Sequence, residues 1–231
     1  MPASSRFFTL WSGLRMMDCK SLELMIVHRE SSFVIINKPS GLLAVPGLGP
    51  EKQDCVVSRL KKMIPEMIDQ PAVHRLDMYT SGLMVVAIDQ QTHRNLCRQF
   101  EDRLVSKRYI ALLDGIVEGE SGKIELPFRL DPDNRPLQVY DPFQGKRGVT
   151  FWKKISAENG RTRIEFTPVT GRTHQLRVHA AHELGLGIPI VGDRLYGNGC
   201  EGEQMLLHAC FLEFTHPETD ETLRFDSPVP F

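Results

Sequence analysis

The feature that most constrains this chain is an unbroken apolar run, Leu83-Met84-Val85-Val86-Ala87-Ile88, set close behind His74-Arg75-Leu76-Asp77 and Thr80-Ser81-Gly82. A short apolar stretch bounded by turn formers reads as a strand buried on both faces. Such a strand needs neighbours on either side and cover above and below, so it belongs at the centre of a sheet. Asp77 then stands against a low-dielectric core, with the cationic Arg75 two residues away. That setting can bias a carboxylate's charge and fix its direction, which makes Asp77 the first candidate for a catalytic group.

The rest of the chain supplies the neighbours. Leu22 to His28 and Phe33 to Ile36 read as strands, followed by a turn at Asn37-Lys38-Pro39-Ser40-Gly41, where Pro39 fixes its φ. Cys55 to Ile64 carries apolar residues at four-residue spacing and reads as a helix stopped by Pro65; residues 90–105 read as a second helix, with Leu96, Phe100 and Leu104 on one face. Tyr109 to Leu113 returns to strand. Residues 121–147, with four prolines, read as a long excursion with short strands at most. Val149 to Ile155 and Thr162 to Phe166 suggest a hairpin turning at Ala157-Glu158-Asn159-Gly160. His174 to Leu184 reads as a helix with Thr173 as N-cap. Leu206 to Phe214 and Thr222 to Phe225 are the last strands. The order predicts an α+β fold: a mixed, mostly antiparallel sheet with helices packed against it, not a doubly wound parallel one.

No Pro/Gly/Ser linker divides the 231 residues, so one domain is expected over 22–231, preceded by a loosely ordered extension over 1–21. Five scattered cysteines without metal-ligand spacing suit a reducing compartment. No apolar run reaches transmembrane length, and the opening stretch lacks a convincing cleavage signal; a cytoplasmic protein with no membrane role is expected. Net charge is -1, but it is distributed unevenly. Residues 146–177 hold eight Lys and Arg against Glu158 and Glu165, while 201–231 hold seven acids against Arg224. One basic face, including Lys153 and Lys154, can meet a phosphate backbone in a protein of near-zero total charge.

Three clusters can carry chemistry. The first is His74-Arg75-Leu76-Asp77. The second is Thr170-Gly171-Arg172-Thr173-His174-Gln175-Leu176-Arg177, at a strand-to-helix junction whose free N–H groups can receive an anion; Arg172 there can hold a carboxylate in a fork. The third is Lys107-Arg108-Tyr109, where an aromatic ring could stack on a base with its hydroxyl available. Gly192-Asp193-Arg194-Leu195-Tyr196-Gly197 is a polar turn that could brace the second cluster or touch RNA. His174, His179 and His182 do not reproduce a metal-ligand signature. The residues alone lead to an RNA-facing enzyme or binder with one notable carboxylate.

These clusters, in this order and together with Asn37-Lys38-Pro39-Ser40-Gly41-Leu42 and Leu206-Leu207-His208-Ala209, resemble the RluA family of RNA pseudouridine synthases from about residue 23 to the C-terminus. The resemblance implies the pseudouridine synthase catalytic fold, with a cleft across the middle of its sheet. It implies that Asp77 is the essential aspartate, Tyr109 the ring under the target base and Arg172 the guanidinium paired with the aspartate. It matches Arg75 to the arginine entering the space the base vacates, and Leu207, or Leu206, to the aliphatic wall of the pocket. His74, Lys153, Lys154, His174 and Arg177 are carried as substrate-binding candidates. No metal or other cofactor is expected, since the reaction is a net rearrangement. The expected partner is structured RNA, engaged by a monomer with no obligate protein partner. With only about 20 residues ahead of the resemblance, the S4-type domain of many relatives is not expected. The likeness is to small members acting on a hairpin-loop uridine of 23S rRNA, a tRNA anticodon stem-loop uridine, or both. The tRNA acceptor arm, and a non-catalytic RNA-binding or remodelling role, are the alternatives.

Overall fold

The computed structural model describes residues 23–231; the expected extension over 1–21 and the first part of the first expected strand lie outside the described residues. Ten strands form a single sheet. They are β1 (Met25–Arg29), β2 (Phe33–Lys38), β3 (Ser81–Ala87), β4 (Ser106–Leu113), β5 (Ser121–Leu130), β6 (Gln138–Tyr140), β7 (Lys146–Glu158), β8 (Arg161–Pro168), β9 (Leu207–Thr215) and β10 (Thr222–Asp226). Their order is β1-β2-β3-β9-β4-β8-β7-β5-β6, with β10 paired to β9. Three α-helices accompany them: α1 (Val56–Met63), α2 (Gln90–Glu101) and α3 (Gln175–Ala181).

The apolar run behaves as its pattern demands. All of β3 is buried. On β2, Val34 and Ile36 pack with Val56, Leu60 and Ile64 around α1, whereas Phe33 and Ile35 pack on the other face with Leu96 of α2. Both faces are therefore covered, and alternation disappears from the sequence. The other half of the sheet builds its own core from Ala111, Leu113, Ile164, Phe166 and Leu207 under Leu176 and Ala180 of α3.

Every strand pairing is antiparallel except one. β3 and β9 run parallel, paired at only two positions, Ser81 with His208 and Gly82 with Ala209. Gly82 has φ 116°, and a Cβ there would collide with the Ala209 backbone, so only glycine permits the approach. This short seam joins the two half-sheets, and Tyr109 packs against the cores of both.

Three expectations need correction. The 121–147 segment contains a ten-residue strand, β5, not an irregular excursion. Pro127 is tolerated because its carbonyl, and hence its missing N–H, faces the side beyond which β6 has ended; Asp141 N–H meets that carbonyl. The second helix stops at Glu101, four residues early, where Arg103 takes a left-handed φ of 60°. The third helix begins at Gln175, with His174 as N-cap at φ 57° and no side-chain cap. Thr173 does not cap it; its hydroxyl accepts from Arg75 instead. The Asn159-Gly160 hairpin turn, both residues at positive φ, forms as read.

Candidate active site

Asp77 lies just before β3, in a turn closed by Thr80 N–H to Asp77 C=O. This turn is knitted to the 38–42 loop. Gly41 N–H donates to Met78 C=O, Ser40 Oγ donates to Tyr79 C=O, and Lys38 Nζ donates to the carbonyls of Pro39, Leu42 and Met78 at 2.8–2.9 Å. Lys38 is fully buried. Burial lowers its pKa to about 7, against the opposing pull of Asp77. An ammonium has three donors; two fold the 38–42 loop onto Lys38 at Pro39 and Leu42, and the third ties that loop to the Asp77 turn at Met78.

From the other half-sheet comes α3. Arg177, one turn into this helix, is 3% exposed. Its Nε and Nη2 donate to the two carboxylate oxygens of Asp193 at 2.7 Å each, and its Nη1 stands 3.7 Å from Asp77 Oδ2. Burial alone would weaken its hold on a proton, but the Asp193 hydrogen bonds and the two carboxylate charges outweigh that and raise its pKa. Asp193 also accepts the N–H groups of Leu195 and Tyr196. The polar turn 192–197 thus braces α3, as its sequence suggested, and its next residue grips the Asp77 loop: Arg194 stacks over the Tyr79 ring and donates to the Tyr79 hydroxyl.

Asp77, Tyr109, Leu207, Arg177 and His174 line one cavity of about 90 Å³. Its size suits a planar ring, not a whole nucleotide. Tyr109 is the aromatic wall; burial first, then the Asp77 charge, raises its phenol well above the ordinary tyrosine range, so it remains a neutral phenol. Leu207, 2% exposed, supplies the aliphatic wall. Leu206 instead uses its backbone to bridge Val191 and Leu112, which resolves the register between the two leucines. His174 Nδ1 is hydrogen-bonded to the Tyr196 hydroxyl at 2.9 Å. Exposed Arg75 reaches Thr173 Oγ1 at 3.3 Å and spans the mouth between the two clusters.

The structure corrects the partner of the carboxylate. Arg172, expected to pair with Asp77, is exposed at the cavity rim, and the guanidinium beside Asp77 belongs to Arg177. The left-handed turn at His174 swings the helix so that the residue one turn in points at the acid. Nor is the Arg172 N–H open to an anion, because it donates to Gln175 Oε1. Gln175 also takes the Thr170 hydroxyl and donates to Val149 C=O and Thr150 Oγ1, tying the whole 170–175 loop to β7. Arg177, carried as a substrate contact, is buried and turned to two protein carboxylates, hydrogen-bonded to Asp193 and facing Asp77. His74 lies half-buried beside the cavity, stacked on Phe100 with Nε2 accepting Val85 N–H; burial lowers its pKa to about 3.

Lys153 and Lys154, expected on a basic substrate-binding face, lie away from the cavity. Trp152, paired with Phe166, shares the cavity side of the sheet, so its neighbour Lys153 points to the opposite side. Lys154 donates to Val117 C=O and pairs with Glu120. Neither lines the cleft.

Sequence reasoning missed Lys38, Gln175 and His208 as parts of this site. Lys38 had a signal: a lysine closing an apolar strand just before Pro39 must find partners inside. His208 joins a buried chain across the seam. Asn37 Nδ2 donates to Ser227 Oγ (3.0 Å), Ser227 Oγ meets His208 Nε2 (3.0 Å), and His208 Nδ1 meets Ser81 Oγ (2.8 Å). Burial lowers the His208 pKa to about 4 and keeps the ring neutral. With Ser81 donating to Leu207 C=O, one tautomer satisfies every member: Ser227 donates to Nε2, and Nδ1–H donates to Ser81.

A family model described as RNA pseudouridylate synthase matches residues 32–182. The dual-specificity RNA pseudouridine synthase RluA of Pasteurella multocida is 43% identical over 212 residues, covering 90% of this chain and 94% of that protein; its Haemophilus influenzae namesake is 42% identical over the same shares. The chain belongs to the RluA family of RNA pseudouridine synthases. Two solved structures share the architecture of this synthase. Human RNA pseudouridylate synthase domain containing 1 superposes with a TM-score of 0.72 at 28% identity, over 91% of this chain and 85% of the human one. Domain containing 4 gives 0.71 at 25%, over 89% and 88%. Both agree with the α+β, mostly antiparallel sheet read from the sequence.

Proposed function

We propose that this RNA pseudouridine synthase acts on a uridine in an RNA hairpin loop, of 23S rRNA, of a tRNA anticodon arm, or of both, and that Asp77 is its catalytic carboxylate. The observation carrying this reading is one carboxylate at a ring-sized cavity, held beside a buried guanidinium and flanked by Tyr109 and Leu207. The dual-specificity relatives support the choice of RNA.

A uridine in a loop must leave its stack to reach this cavity, at a cost of a few kcal/mol; stacking on Tyr109 returns about 1–3 kcal/mol. Arg75, exposed at the mouth, then fills the vacated space. Asp77 then either attacks C1′, displacing uracil as an anion, or removes the 2′ proton as the glycosidic bond breaks. The freed base rotates within the cavity and its C5 bonds to C1′, displacing the Asp77 carboxylate in the first route, or with Asp77 returning the proton to C2′ in the second; loss of the C5 proton and protonation of N1 restore the ring. Tyr109, a neutral phenol, is a weak base for that last step, which favours water or Asp77.

The test is incubation of purified protein with separate 23S rRNA and tRNA transcripts, mapping new pseudouridines by carbodiimide-dependent primer stops. A hairpin-loop stop that disappears with Asp77→Asn, while RNA binding and melting temperature persist, is the expected result. A stop only in the tRNA acceptor arm would replace the substrate assignment, and an undiminished stop with Asp77→Asn would remove Asp77 from the chemistry.

A further inference from the structure

A second cavity of about 440 Å³ opens off the first and shares Arg75, Lys107, Tyr109 and the 170–172 segment with it. Its walls are apolar at Val73, Phe100 and Val105, and otherwise strongly cationic. Arg75, Arg103, Lys107 and Arg172 face it against the single acid Glu101. Among the described residues, none of Arg103, Lys107 and Arg172 pairs with a carboxylate. Lys107 is the informative one. Its ammonium is half-buried 5.5 Å over the Phe100 ring, and burial lowers its pKa. A partly desolvated cation without a counter-charge favours an incoming anion.

Arg103 adds an independent sign. It keeps a left-handed φ of 60° just beyond α2, a conformation glycine would adopt without strain. The residue found there instead brings a guanidinium to this cavity. The volume falls within the range of about 300–1,000 Å³ typical of ligand pockets, whereas the Asp77 cavity has room for a ring alone. The second cavity can therefore hold a group larger than a base, and its lining favours one that is anionic and partly apolar, next door to the Asp77 cavity.

We propose that this annex is the subsite for the nucleotide adjoining the target uridine, with its phosphate at Arg103 and Lys107 and its base against Val73, Phe100 and Val105. The proposal rests on the synthase reading above and adds to it a second recognised nucleotide. Sequence preference would then arise from what fits this annex, not from contacts to a stem.

The test uses a stem-loop RNA that the protein converts, with 4-thiouridine placed at the nucleotide on either side of the target, bound to Asp77→Asn protein and photo-crosslinked. One flanking position is expected to crosslink within residues 97–107, and the other elsewhere. Arg103→Gly relieves the backbone strain, so its melting temperature should hold or rise. Its Kd for the same RNA should nonetheless rise about tenfold, as expected for a lost charge-assisted contact, with the salt slope falling by about 0.7. Crosslinks from both flanks outside 97–107, or an unchanged Kd and salt slope, would overturn the annex alone. If no RNA were converted, the synthase reading and the annex would fall together.

Discussion

Asp193, sixteen residues downstream of Arg177 and 1% exposed, holds that guanidinium by two hydrogen bonds of 2.7 Å. Only one nitrogen of Arg177 is left to face Asp77. A buried ion pair of this kind is worth little to stability against apolar residues of similar size, but breaking it from one side costs about 3–5 kcal/mol. Asp193→Asn and Arg177→Met should each lower the melting temperature sharply, and the double change Arg177→Met with Asp193→Leu should recover only part of it, because the Leu195 and Tyr196 N–H groups lose their acceptor. None of the three should make pseudouridine at more than about a hundredth of the normal rate, a loss in the range of one missing electrostatic stabiliser. Thermal melting beside a single-turnover assay separates the two roles.

Lys38→Met removes the donor that three carbonyls share. Leaving buried acceptors unpaired costs about 1–3 kcal/mol each at most, and the turn carrying Asp77 loses its anchor. Turnover is expected to fall much further than RNA affinity, measured as kcat against Kd on one stem-loop.

The chain Asn37–Ser227–His208–Ser81 makes His208 a positioning residue for the seam. Replacement by Phe fills the volume but removes the ring nitrogens that link the two serine hydroxyls across the seam, so kcat should fall about tenfold or more with Kd unchanged. His208→Gln, which keeps a donor and an acceptor, should restore part of the rate. Equal rates for the two variants would reduce His208 to a space filler.

His179 is fully buried, with no hydrogen-bond partner on either ring nitrogen, and burial lowers its pKa to about 4. His208 is lowered to about 4 by the same cause. In the unfolded chain both imidazoles take up protons near pH 6.5, so the unfolded state binds more protons below that value. The stability they support is full above pH 6.5 and declines as pH falls towards 4, by about 1.4 kcal/mol per pH unit for each ring. His179→Phe should flatten that acid limb in denaturant titrations.

Lys153→Ala combined with Lys154→Ala should leave RNA affinity within about twofold, because surface pairs and charges away from a cleft contribute little. Arg172→Ala, at the rim of the cavity, should weaken binding and reduce its salt slope by about 0.7. Filter binding at several salt concentrations distinguishes the two outcomes.

Much of this site was legible one stretch at a time. The apolar run after Asp77 announced a central strand, the alternation in Val149 to Phe166 announced a hairpin, and the polar turn at 192–197 offered a brace beside the alternative of an RNA contact. The guanidinium facing the acid was not legible, because Arg172 and Arg177 differ in local sequence by nothing that fixes their direction. The backbone at His174 decides between them, and a left-handed histidine carries no reliable signal. The strand β5 was hidden by Pro127, whose tolerance depends on where the neighbouring strand ends. Lys153 looked available because charge along a strand was counted without asking which face each residue takes.

The two-pair junction of β3 with β9 has a consequence for how this enzyme fails. Acid and guanidinium are delivered by opposite half-sheets, so the distance between them reports the angle at which those halves lean on each other. A small slip there, too slight to expose either core, would separate the charges before any unfolding signal moved. Warming should therefore silence the chemistry several degrees below the melting transition, and changes deep in either half, far from any nucleotide, should register first as lost turnover.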